Sequence, residues 1–473
     1  MGPSLAFLLA LLAAGAARAG DGHAGLKIAV RDSACLEGFV CVSTPNPSVI
    51  ATPPAAAAAG APAGAPDFAS VRRAAADFHS GDAHLDAVFR NALLDAGKQA
   101  SYAADGTVYV KTGDIPAEWL RDSSAQVRPY LFFAKKDPAV AALLRGVIER
   151  QARSLSRDPY ANAFRADYSV WEEKFELDSL VDPITLAWTY WRATSDAGVF
   201  TPVVAAGFAA ALQTMQAEQN HGTSPRGYKH RELKGNAVGP TGMIWSGFRP
   251  SDDACVYNYL IPSEMAAVVA LGQLAQIERE VWHDDARAAA AETLREQVHR
   301  GIQTYGVVDD PKHGKIYAYE VDGLGRSLLM DDGNIPSLLS APYLGYGTAA
   351  DPVYQNTRRY LLSPDDPYYY QGKKGSGIGS PHTPKGYVWP LALLAQGLTA
   401  STPEERSRAQ ALLLASDPGD GRLHESFDPN DPKRFTRKDF GWPNSLMAEF
   451  VLASKGGSPP LPRGSTEGLT FPR

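Results

Sequence analysis

DGTVYVKTGDIPAEWLRDSSAQVRPY, residues 105–130, opens as a strand and closes as a helix. Thr107, Val108, Tyr109 and Val110 favour a β-strand and follow the Asp105-Gly106 turn signal. The chain then turns through Thr112, Gly113, Asp114, Ile115 and Pro116, and residues 123–130 begin a helix. A strand and turn ending at a helix N-terminus hold polar side chains above a pocket floor. Asp114, Trp119, Arg121 and Asp122 crowd this segment. Two carboxylates, a guanidinium and an indole suit a sugar: hydroxyls take paired hydrogen bonds, and the apolar ring face takes an aromatic plate. The competing reading is a structural Arg–Asp clasp between a loop and a helix.

Outward from this stretch the pattern is helical. Apolar residues recur at three and four over 68–96, 123–136, 138–155, 180–193, 202–219, 262–280 and 284–305. The same spacing returns over 335–340, 352–362, 387–399, 403–415 and 442–454. Strands are expected only around 107–111 and 315–321. About a dozen helices in one large unit, with no fixed-period repeat, point to an all-α (α/α)6 toroid or barrel ahead of a solenoid. Its long loops, rich in Gly, Pro, Asp and Trp, are where function is expected, because loops of that length rarely persist without one.

The 473 residues are 44% hydrophobic and 21% charged, enough for a large core. A net charge of −6 without any basic run argues against nucleic acid and anionic membranes as partners. Residues 5–17 form a short apolar run before the small-x-small site Ala17-Arg18-Ala19, although no Lys or Arg precedes it. The organisation expected is a signal peptide over 1–19, a Pro/Ala-rich arm over 20–66, a catalytic domain over 67–456 and a tail over 457–473. The protein is then secreted or lumenal, with no membrane span, and is expected to be a monomer. Cys35 and Cys41 could pair, leaving Cys255 a lone thiol, and no spacing suggests zinc. Asn46 is followed by Pro47 and makes no glycosylation sequon.

Three loops carry candidate chemistry. In WSGFRPSDDACVYNY, residues 245–259, the neighbours Asp252 and Asp253 cannot face the same atom. One could face a substrate while the other pairs with Arg249, or Ser251 and both acids could cap a helix. In HESFD, His424 could hydrogen-bond a sugar, and Glu425 sits in an irregular Gly/Pro/Asp stretch where a buried carboxylate has little structural excuse. Arg434, Arg437, Lys438 and Asp439 read as surface charge. In residues 371–390 the glycines match neither a P-loop nor a nucleophile elbow, but His382 and Trp389 suit a loop lying on a ligand. Asp331, Asp332 and Asn334 lack EF-hand spacing. Glycoside hydrolysis needs one carboxylic acid for the leaving oxygen and one carboxylate at the anomeric carbon, and an Asp and a Glu from distant loops meet that need.

Taken together, TGDIPAEWLRDSSAQVRPY, WEEKFELDSL, GMIWSGFRPSDDACVYNYLIPSEM, HESF and FGWPNSLMAEF resemble glycoside hydrolase family 125, from about residue 67 to 454. The resemblance implies an (α/α)6 barrel and an inverting, metal-independent exo-α-1,6-mannosidase that needs no cofactor and takes an α-mannoside or glycan. It places the general acid at Asp252, with Asp253 the close alternative, and the general base at Glu425. It gives Arg121, Asp122 and His382 contacts to the terminal mannose. Asp114, Trp119, Arg249, Asp332 and His424 complete the expected binding set. Glu118 departs from the family pattern, standing beside Trp119 where an apolar residue is usual, and could alter a subsite. A binding toroid without activity and an (α/α)6 polysaccharide lyase are the rival readings. The former need not keep both carboxyls, and the latter calls for a more basic cleft.

Overall fold

The structure is a computed structural model that describes residues 68–454. The expected signal peptide, arm, C-terminal tail and Cys35–Cys41 pair lie outside the described residues. Thirteen α-helices are present among them. They are α1 (Ala69–Ala76), α2 (Ala83–Gln99), α3 (Leu120–Val127), α4 (Pro138–Arg157), α5 (Leu177–Thr194), α6 (Pro202–Glu218) and α7 (Ile261–Ile277). After them come α8 (Asp285–Gly301), α9 (Ala341–Leu344), α10 (Pro352–Leu361), α11 (Pro390–Leu398), α12 (Pro403–Ser416) and α13 (Gly441–Ser454).

Side-chain patterning sorts the helices into two layers. A helix apolar on every side belongs in the interior. In α7, IPSEMAAVVALGQLAQI, every residue except Gln276 is buried, and α13 is buried from Gly441 through Val451. By contrast α4 buries one face, through Val140, Leu143, Leu144, Val147 and their turn-spaced neighbours, and leaves its other face wet. Helix packing follows the patterning. Helix α3 packs on α5, α5 on α7 and α7 on α9, while α13 joins α11 to α3. The odd-numbered helices from α3 to α13 therefore form an inner ring of six. The even-numbered ones lie outside it, α2 against α13, α4 and α6 against α5, α8 against α7 and α12 against α11. This is the (α/α)6 toroid that the periodicity predicts. The strands are short and pair in small sheets of two or three within the loops.

The differences from expectation have local causes. The 68–96 helix breaks in two because Gly81 takes φ +92° and Asp82 then caps α2, accepting from the His84 and Leu85 amides. The helix expected from 123 starts three residues earlier, and a 3-10 turn over Arg128–Phe132, with Pro129 near its start, follows it. Residues 335–340 form no helix. The Asp331 carboxylate takes the Leu338 and Leu339 amides, and only the four-residue α9 follows. The strand expected at 315–321 is two, Gly314–Tyr317 and Glu320–Val321. No helix among the described residues is long and apolar enough to cross a membrane.

Candidate active site

The segments leading into all six inner helices contribute to one cavity of about 1000 Å³, open to solvent. Ahead of α3 and in its first turn come Thr112, Ile115, Trp119, Arg121 and Asp122. The approach to α5 gives Trp171, Glu172 and Lys174, and that to α7 gives Pro250, Ser251 and Asp252. Asn334 comes from before α9, His382 and Trp389 from before α11, and Glu425, Arg437, Phe440 and Trp442 from the start of α13. Helix N-termini and the loops leading into them are where a toroid can bring remote sequence together.

Arg121 organises the floor. Its Nη1 donates to Glu176 at 2.6 Å and to Asp178 at 2.9 Å. Its Nη2 reaches Asp252 at 3.3 Å and Asp122 at 3.3 Å. The guanidinium also stands 5.4 Å from the Trp442 ring centroid. Asn162 donates to both Glu176 (3.1 Å) and Asp252 (3.2 Å), and Lys174 Nζ donates to the Asp252 carbonyl at 2.8 Å. Burial raises the Glu176 and Asp178 carboxyls against the pull of Arg121, and it lifts Asp122 to about 6. At Asp252 burial acts the same way but is outweighed by Arg121, the hydrogen bond with Glu176, Lys174 and His382, so this carboxyl is held below its usual range.

The backbone presents Asp252. Arg249 and Asp253 close a tight turn through the Arg249 amide and the Asp253 carbonyl, and Asp252 at its tip takes φ +63°. Asp is among the few residues that tolerate this left-handed geometry, which recurs at functional sites. Glu425, which also lines the cavity, is only 6% exposed, and Arg437 Nη1 lies 3.7 Å from its Oε1. His382 Nδ1 bonds Asp253 at 3.1 Å. That bond and the charges of Asp253, Glu425 and Asp252 raise the imidazole to about 9, so it is a cation at neutral pH.

Residues 82–452 match the profile of the metal-independent α-mannosidases, GH125. The chain belongs to this family. It is 40% identical to the meiotically up-regulated gene 157 protein of Schizosaccharomyces pombe, over 72% of this chain and 76% of that one. It is also 40% identical to a metal-independent α-mannosidase of Streptococcus pneumoniae, solved in a non-productive complex with α-1,6-mannobiose. The TM-score there is 0.77, covering 81% of this chain and 96% of the other. A bacterial glucoamylase bound to acarbose, 14% identical, shares the fold alone with a TM-score of 0.59 over 80% of this chain and 56% of its own.

Of the side chains expected to make the GH125 site, Trp119, Arg121, Asp122, Asp252, His382 and Glu425 line the cavity. The others do not, and each has a physical reason. Asp253 is instead bonded to His382, which lines the wall. Arg249 pairs with neither aspartate side chain; its Nε donates to buried Glu320 at 2.6 Å. Asp332 lies behind the wall, accepting from Ser251 Oγ and Asn334 Nδ2 and so holding two residues that do line it. Asp114 is turned to Arg437. His424 is buried, with its ring stacked 3.7 Å from Phe435 and its Nδ1 against the Arg437 carbonyl. The capping alternative for Ser251 fails as well, since α7 begins ten residues later.

Two further expectations need correction. Arg437 is not surface charge: its guanidinium lines the cavity between Asp114 and Glu425. Glu118 does not line the cavity. Strand alternation turns it away from Trp119 into the interior, where it accepts from the Val110 amide at 2.9 Å and Arg150 Nε at 2.7 Å. Burial opposed by Arg150 leaves it near 7. Cys255 is a buried free thiol, as expected. Sequence reasoning missed Glu176 and Asp178, although the acid-rich WEEKFELDSL carried the signal, and it missed Trp171, Lys174, Phe440 and Trp442 as wall residues.

Proposed function

We propose that this cavity releases α-1,6-linked mannose from the non-reducing end of a mannoside or glycan, with inversion at the anomeric carbon. Asp252 acts as general acid and Glu425 as general base. The observation that carries this reading is topological. In the ring α3, α5, α7, α9, α11, α13, the helices α7 and α13 stand opposite each other, and the two carboxyls enter the cavity from the approaches to those helices. An inverting hydrolase needs its acid and base on opposite faces of the sugar. Asp252 gives its proton to the glycosidic oxygen as the C1–O bond breaks. Glu425 takes a proton from water as the water oxygen bonds C1 on the other face.

An exo mode suits the shape. Arg121 and Asp122 are 2% and 3% exposed, whereas Trp171 on the same cavity is 39% exposed, a contrast that suits a pocket entered from one side. Trp171 has Arg165 4.8 Å from its ring centroid and is placed to stack the sugars beyond the scissile bond. Trp171→Ala should raise KM for a mannotriose or longer glycan about tenfold and leave an aryl mannoside within about threefold, as expected for one lost stacking contact. We also propose that the chain is secreted or lumenal and monomeric, the former on the apolar run at residues 5–17.

The deciding experiment offers α-1,6-, α-1,3- and α-1,2-mannobiose and follows the first-formed anomer by proton NMR, with and without a chelator. The expected result is β-mannose from the α-1,6 isomer, unaffected by the chelator. First-formed α-mannose would refute inversion, and preference for another linkage would refute the substrate.

A further inference from the structure

Glu176 is fully enclosed and does not line the cavity, yet its carboxyl stands beside that of Asp252: both accept from the same Asn162 Nδ2, at 3.1 and 3.2 Å, and both meet the same Arg121 guanidinium. Two ionised carboxylates that share donors in a buried site repel each other, which favours a proton on one of them. The charge balance says the same. Glu176, Asp178, Asp122 and Asp252 all meet the single Arg121 guanidinium. The other charges facing the pair are Lys174, itself held by Glu172, and His382 from the approach to α11. Asp252, with a side chain 24% exposed, is the member of the pair that reaches the cavity.

We propose that Glu176 is a positioning residue that stores the proton of the general acid. One proton is shared by the two carboxyls. It sits on Glu176 while the cavity holds solvent and passes to Asp252 when a sugar fills it. The physical reason is that water stabilises ionised Asp252, and a sugar displaces that water, favouring the neutral acid. The transfer leaves Glu176 as the carboxylate on Arg121 Nη1 and Asn162, with both partners already in place. Asp252 then gives the proton to the leaving oxygen, and the ionised pair regains one proton from solvent after the products depart. This inference rests on the reading of Asp252 as the acid.

The test compares Glu176→Gln and Asp252→Asn on two substrates: α-1,6-mannobiose, whose leaving group needs a proton, and 2,4-dinitrophenyl α-mannoside, whose leaving group does not. Glu176→Gln keeps the size and, through its carbonyl oxygen, the bond from Arg121; its amide nitrogen cannot accept from Asn162, and it has no proton to give. It should lower kcat/KM on the disaccharide about 100-fold, the scale of general-acid assistance, and spare the aryl substrate within about threefold. The basic limb of its pH–rate profile should move to lower pH. Asp252→Asn should show the same selectivity. If Asp252→Asn affects both substrates equally, the acid assignment falls and this inference with it. If only Asp252→Asn is selective, or the basic limb of Glu176→Gln does not move, Glu176 is merely structural and the proposal is overturned. Should Glu176→Gln fail to fold, Glu176→Asp, which keeps a titratable proton at altered reach, must shift the basic limb; an unmoved limb overturns the proposal equally.

Discussion

Glu425→Gln is expected to lower kcat on α-1,6-mannobiose by about 10²–10⁴-fold, the usual worth of a positioned base, and to leave mannoside binding within about threefold. Glu425 is buried at the foot of the strand Ser426–Asp428, with its amide bonded to the Thr436 carbonyl across the hairpin. Its Oε1 lies 3.7 Å from Arg437 Nη1, and Arg437 is anchored independently by Asp114. Glutamine fills the same space and leaves Arg437 paired with Asp114, so the wall should hold its shape. What disappears is a lone pair able to accept a proton from water, a loss felt only in the transition state. The variant should therefore fall in kcat with little change in KM, the pattern of an interaction made only as the bond breaks. Titration calorimetry with α-1,6-mannobiose measures the binding arm. Turnover near that of the unaltered protein would remove Glu425 from the reaction.

The pair of carboxyls shows what a sequence can and cannot disclose. Periodicity separates helices from loops, and an all-apolar helix such as α7 marks itself as interior. Which loops share a cavity follows from helix order alone: once the odd helices form the inner ring, the approaches to α3, α5, α7, α9, α11 and α13 must converge. That is why the segment at 105–130 could be read as a pocket floor. Side-chain direction within a loop is a different matter. Asp252 and Asp253 are chemically identical neighbours, and only the left-handed turn at Asp252 decides which faces the cavity. Arg437 looks like its exposed neighbours Arg434 and Lys438 until the hairpin Ser426–Asp428 and Asp431–Thr436 carries it back to Glu425. His424 fails for the converse reason, since the aromatic ring that claims it, Phe435, arrives across that same hairpin. Glu118 could be placed only by knowing that Arg150 of α4 lies behind the strand.

Arg121→Leu should carry the largest cost to the fold itself. The guanidinium is 2% exposed and serves Glu176, Asp178, Asp252 and Asp122 at once, so an apolar replacement strands several carboxyls in a dry site. Breaking a buried ion pair by removing one partner costs about 3–5 kcal/mol, and here the partners cannot all find substitute donors. Asn162 continues to serve Glu176 and Asp252, but among the described residues no side chain other than Arg121 is seen to hydrogen-bond or ion-pair with the Asp178 carboxyl. Glu176 and Asp178 are already raised by burial, and removing Arg121 takes away the strongest opposing influence on both. Folded-state carboxyls raised above their unfolded values destabilise the protein at a pH above the unfolded value, and the penalty disappears as the pH falls below it. The deficit of Arg121→Leu relative to the unaltered protein, measured by urea unfolding, should thus be greatest at pH 7–8 and shrink toward about pH 4, where both states bind the protons. Arg121→Lys tests the fork separately. One ammonium cannot reproduce donors on two nitrogens aimed at four carboxyls, so it should recover part of the stability and little of the activity. A deficit independent of pH, or full activity in Arg121→Lys, would mean that the four acids do not depend on this guanidinium for their ionisation or their aim.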